Sequence, residues 1–104
     1  MRNTDDYIIF YHLIEQGSFS AAARHMSLTK SVVSKRIAKL EQELGVQLLY
    51  RTTRTLTLTE AGRAFFTHAK AVYQAVATAE ESIVGLGKTY LETLKFRCLL
   101  SLVN

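Results

Sequence analysis

A mainly α-helical chain carrying one small β element is what this sequence predicts, on three observations. There is no proline among its 104 residues. The five glycines are separated by long runs of strong helix formers such as alanine, leucine, lysine and glutamate. One short stretch, Gln47 to Leu58, departs from that pattern with threonines, leucines and a tyrosine of strand propensity. A chain of this length has room for one core, and 48% hydrophobic with 21% charged residues suits an ordered globular domain.

The first helix is capped by Thr4, with Asp5 and Asp6 at its positive end and Tyr7, Phe10, Tyr11 and Ile14 at helical spacing; Gly17 stops it. Ser18 caps a second, short helix that runs to about His25. There Ala21, Ala22 and Ala23 leave room for a neighbouring helix, and Phe19 and Met26 supply bulk. After a turn at Ser27 and Leu28, Thr29 caps a third helix. Val33, Ile37, Leu40 and Leu44 follow at intervals of four, three and four residues and face the core, and Gly45 terminates the helix. Ser31, Lys35, Ala38, Lys39 and Gln42 fall on the opposite side, with Ser34 flanking them and Lys30 in the first turn.

The stretch "QLLYRTTRTLTL" reads as a two-stranded hairpin around a turn at Thr52 to Thr55, with Arg51 and Arg54 at its tip. Thr59 caps a last, long helix with no strong breaker before Gly85 and Gly87, Gly62 being tolerated near its start. Phe65, Val72, Ala79 and Leu86 repeat every seven residues, and Ala69, Val76 and Ile83 form a second such series. That seam can pack on its own domain, but its length favours pairing with another chain.

Charge is unevenly distributed. Residues 24–54 carry Arg24, Lys30, Lys35, Arg36, Lys39, Arg51 and Arg54 against two acids, a net of +5 in a chain of net +4, and Leu28 to Ala38 holds no acid at all. Such a segment is either a solvated face or the footprint of a polyanion. The element order decides for the second. A helix, a short helix, a turn, a third helix and a basic hairpin is the order of a winged helix-turn-helix, whose third helix enters the major groove of double-stranded DNA.

Other chemistry finds little support. Ser34 has no histidine and acid at a spacing that suggests a triad, so it reads as a DNA hydrogen-bonding group and the chain as no enzyme. His12, His25 and His68 are scattered over three helices and read as ordinary surface or packing residues. The lone Cys98 reads as an apolar tail residue, and no cysteine-histidine cluster has metal-site spacing, so neither metal nor cofactor is expected. No signal peptide or membrane segment opens the chain, which reads as soluble and cytoplasmic.

The run from Gly17 to Gly62, "GSFSAAARHMSLTKSVVSKRIAKLEQELGVQLLYRTTRTLTLTEAG", strongly resembles the N-terminal DNA-binding domain of LysR-type transcriptional regulators. The likeness covers roughly residues 4–87. It rests on the "GSF" turn, Ala22 and Ala23, Ser34, the "I..LE..LG" run from Ile37 to Gly45, Arg51 and the "LTEAG" start of the last helix. It implies a winged helix-turn-helix over residues 1–58, a linker and dimerisation helix over 59–87, and over 88–104 a hinge with the start of an effector-binding domain. It further implies a dimer, higher oligomers in full-length forms, and two recognition helices on an imperfect inverted repeat.

Carried over position by position, the resemblance makes Thr29, Lys30, Ser31, Ser34 and Lys35 recognition-helix residues, and Arg51 and Arg54 wing residues near phosphates or the minor groove. Lys39 either joins them or solvates the helix, and Arg51 either touches DNA or braces the wing. Lys30 stands where many members have glutamine, and Arg36 where an uncharged polar residue is common. Glutamine pairs bidentately with adenine, whereas lysine favours guanine acceptors or a phosphate. With the effector-binding lobes missing, no small-molecule effector site is expected in this chain. The alternative function is a dimerisation module that pairs with full-length relatives and interferes with them.

Overall fold

The computed structural model describes residues 4–50, 55–83, 94, 98 and 99. Four helices carry it: α1 (Thr4–Gln16), α2 (Phe19–Met26), α3 (Lys30–Leu44) and α4 (Glu60–Glu81). Local chemistry sets their ends. The side chains of Ser18, Thr29 and Thr59 accept hydrogen bonds from the N–H groups of Ala21, Val32 and Gly62 at 3.0, 3.1 and 2.9 Å. Gly17 and Gly45 close α1 and α3 at φ +84° and +75°, in the left-handed region where a Cβ is unfavourable. Thr4, expected as a cap, is instead the first helical residue.

Ile8, Ile9, Phe10 and Leu13 of α1 are wholly buried, and around them pack Ala22, Ala23 and Met26 of α2 and Val33, Ile37 and Leu40 of α3. The small alanines let α2 sit close, as their spacing predicted. α4 crosses α1 through rings: Phe65 meets Tyr7 and Phe10 edge-on at 4.9 and 5.3 Å, and Tyr73 stacks on Tyr11 at 4.5 Å.

That crossing revises the seven-residue seam. Ala69 is fully buried, and Phe65, Val72 and Val76 are half-buried against the core of their own chain. Only Ala79 and Ile83 are exposed, and Leu86 lies outside the described residues. The first half of the series is occupied within the chain because α1 offers a matching aromatic face.

Between α3 and α4, Leu49 and Leu58 form one isolated antiparallel bridge, with Tyr50 N–H donating to the Thr57 carbonyl at 3.0 Å. No longer ladder is present among the described residues, and residues 51–54 lie outside them. Glu41 organises this connection, its carboxylate accepting from the N–H groups of Leu48 and Leu49 at 2.7 and 3.2 Å. From the other side Thr59 donates its hydroxyl to the Gln47 carbonyl at 2.7 Å and its N–H to the Leu48 carbonyl at 3.0 Å.

Gly62 is required, not merely tolerated. A Cβ there would run into the backbone carbonyl of Leu48 and come within 3.1 Å of the Leu58 side chain. The tail also departs from expectation. Leu94 and Cys98 are helical and belong to the buried core, where a hinge and strand start were expected, and Leu99 beside them is 44% exposed.

Candidate nucleic-acid interface

α3 divides into two faces. Val32, Val33, Ile37 and Leu40 are buried, while Lys30, Ser31, Ser34, Lys35, Ala38, Lys39 and Gln42 are exposed. Thr29 is exposed at the cap. Every α3 residue singled out in the sequence for DNA contact therefore lies on one accessible strip. No acidic residue stands in the first turn of α3. The partial positive charge of its N-terminus thus adds to Lys30 and Lys35 in favouring an anion. Arg24 on α2 is exposed as well, whereas Arg51 and Arg54 lie outside the described residues.

The seven-cation tally of this segment overstates the available charge. Arg36 is 2% exposed, its guanidinium 2.6 Å from a carboxylate oxygen of Asp6, itself wholly buried in the first turn of α1. Burial pushes the Asp6 carboxyl above its ordinary range, while the Arg36 guanidinium and, further off, Lys39 pull it down. Arg36 thus belongs to the interior, and the exposed cations of α3 are Lys30, Lys35 and Lys39.

Sequence reasoning missed this pair because Asp6 and Arg36 are distant in sequence and each has an ordinary surface reading. The only signal was that Arg36 lies three residues after Val33 and four before Leu40, at the edge of the apolar stripe. Of the surface and packing readings open for His12, the structure selects packing. It is buried where α1, α2 and α4 meet, its ring 4.9 Å from both His25 and Tyr73. Burial, reinforced by the His25 charge, lowers its pKa to about 4.

Comparison with known proteins agrees with this geometry. The sequence signature of the family described as "bacterial regulatory helix-turn-helix protein, lysR family" matches residues 4–63. The HTH-type transcriptional regulator CrgA of Neisseria meningitidis is 40% identical over 84 residues, 81% of this chain and 28% of that protein. The chain therefore spans well under a third of that relative's length. Among solved structures, the full-length Vibrio cholerae virulence activator AphB superposes with a TM-score of 0.73 at 32% identity, covering 79% of this chain and 28% of AphB. The BenM DNA-binding domain, crystallised with catB site 1 DNA, superposes with a TM-score of 0.71 at 27% identity, covering 85% of this chain and all of that one. The family signature spans more than half of the chain and the fold is matched in solved relatives, so the chain belongs to the LysR family of bacterial regulatory helix-turn-helix proteins.

Proposed function

We propose that this chain binds duplex DNA sequence-specifically as a dimer and serves transcriptional regulation in the cytoplasm. The observation that carries the reading is the exposed, acid-free strip at the N-terminal half of α3. Lys30, Ser31, Ser34 and Lys35 supply donors and acceptors for base edges in the major groove, with Thr29 at the helix entrance. Lys39, Arg51 and Arg54 neutralise phosphates, the two arginines from a two-stranded wing of which the Leu49–Leu58 bridge is the base. That the similar BenM DNA-binding domain was crystallised with DNA supports DNA as the partner. Dimerisation uses the far part of the α4 seam, where Ala79 and exposed Ile83 are open to a second copy. Among the described residues no helix is long and apolar enough to cross a membrane.

The test is selection from a random duplex library followed by a salt titration. An enriched, imperfectly palindromic site is expected. If three to five cations per protomer meet phosphates, affinity for it falls roughly 10³- to 10⁵-fold between about 50 and 200 mM salt. Lys35→Ala should cost about 1 to 3 kcal/mol at one base position of each half-site if it reads a base, or flatten the salt slope by about 2, one per protomer, if it meets a phosphate. A selection that returns random sequence would rule out specific readout by this chain.

A further inference from the structure

We infer that Asp6 and Arg36 are positioning residues for DNA reading: their buried ion pair fixes the roll of α3, and with it the discrimination between DNA sequences. The inference rests on the function proposed above.

Four buried residues, Val32, Val33, Ile37 and Leu40, press α3 onto the core. Apolar contacts of this kind are non-directional and tolerate small rotations. The Asp6–Arg36 contact is different. It joins the first turn of α1 to the middle of α3 at 2.6 Å, with side-chain exposures of 0% and 3%. Two opposite charges held in contact out of water resist any roll of α3 that would separate them, because neither has solvent to replace the other.

Stability alone does not explain such a pair, because desolvation of two charges offsets most of their attraction and apolar replacements are often neutral or better. Its position offers another explanation. Arg36 directly follows Lys35, and Lys39 lies one turn on along the same helix. A roll of about 10° would sweep side-chain ends, at roughly 6 Å from the helix axis, through about 1 Å. Base-edge hydrogen bonds are lost over such a shift, whereas long lysine stems simply reach again for a phosphate. Loosening the pair should therefore erase discrimination and leave general DNA affinity intact.

The experiment compares the wild-type chain with the double variant Asp6→Leu/Arg36→Met, which keeps the net charge at +4. Thermal melting is measured first, then affinity for the duplex that the wild type selects from a random library and for unselected duplex. The double variant should melt within about 5 °C of wild type. It should bind unselected duplex within about twofold of wild type, and its ratio of selected to unselected affinity should fall at least tenfold. A folded double variant that keeps the ratio within about twofold overturns the inference.

If the double variant melts much lower, Arg36→Lys is compared below its own midpoint, because it keeps the charge and loses the guanidinium that makes the contact. A severalfold drop in the ratio with unselected affinity unchanged then supports the inference, and an unchanged ratio overturns it. A wild type that selects no site would instead defeat the functional reading, before any variant is made.

Discussion

Acidification from about pH 7.5 to about pH 5 should remove about 2 kcal/mol of folding stability through one residue, His12. Its ring is 3% exposed and wedged between His25 of α2 and Tyr73 of α4, both at 4.9 Å. Its Nε2 atom is buried without a hydrogen-bond partner. An imidazolium there would be a charge without water, which is why burial, with His25 adding, lowers the pKa from 6.5 to about 4. Between those values the unfolded chain holds a proton on His12 that the folded chain does not. Stability is thus complete above the unfolded pKa, falls as pH drops through it, and levels off near the folded one.

The whole difference is about 3 kcal/mol at 1.36 kcal/mol per pH unit, most of it expressed by about pH 5. Urea unfolding followed by circular dichroism, on wild type and His12→Phe across this range, isolates the effect. Phenylalanine keeps a ring against Tyr73 and carries no proton, so the difference between the two profiles belongs to His12. The wild type should lose about 2 kcal/mol more than the variant. Profiles that run parallel within about 0.5 kcal/mol would mean that His12 is not held neutral by burial, and the reasoning would fail.

Three further outcomes follow from the packing. Gly62→Ala, which in an open helix would gain about 1 kcal/mol, should instead destabilise by about 3 kcal/mol, because the new Cβ displaces the Leu48 carbonyl from the Thr59 N–H; thermal melting reads this directly. Glu41→Ala should cost about 2 kcal/mol by leaving the Leu48 and Leu49 N–H groups without their charged acceptor, and faster amide exchange at those two positions would locate the loss. Ser27 sits at φ 57°, so Ser27→Gly should stabilise by about 1 kcal/mol, and a lower denaturation midpoint would contradict that.

What the sequence made legible was local. Ser18, Thr29 and Thr59 announce helix starts through side-chain oxygens that need only the next three residues, and Gly17 and Gly45 announce ends through their own backbone freedom. The two faces of α3 follow from helical period alone, so the exposed strip from Lys30 to Lys39 was readable without knowledge of neighbours.

The missed features depend on contacts between distant parts of the chain. Asp6 looked like a helix-dipole acid and Arg36 like a surface cation, and only the α1–α3 contact turns both inward. Phe65 and Ala69 fit a heptad whether the partner is α1 or a second copy, since periodicity gives a face and no occupant. Leu94 and Cys98 are apolar residues that read equally as part of a strand start, and only contact with the core of the helices, remote in sequence, accounts for their burial. Gly62 shows the same limit, because the backbone it accommodates belongs to Leu48.

The three residues Gln47 to Leu49 act as a joint between two levers. Glu41 grips them from α3, and Thr59 grips them from α4. With 22 residues, α4 is about 33 Å long, so a displacement of about 3 Å at its far end needs a tilt of only about 5°. The fulcrum of that tilt lies beside the carboxylate that ends the last turns of α3. A tilt of α4 starting near its exposed far end would therefore reach α3 by two routes, the aromatic contact with α1 and these three residues, which Glu41 and Thr59 hold from opposite sides.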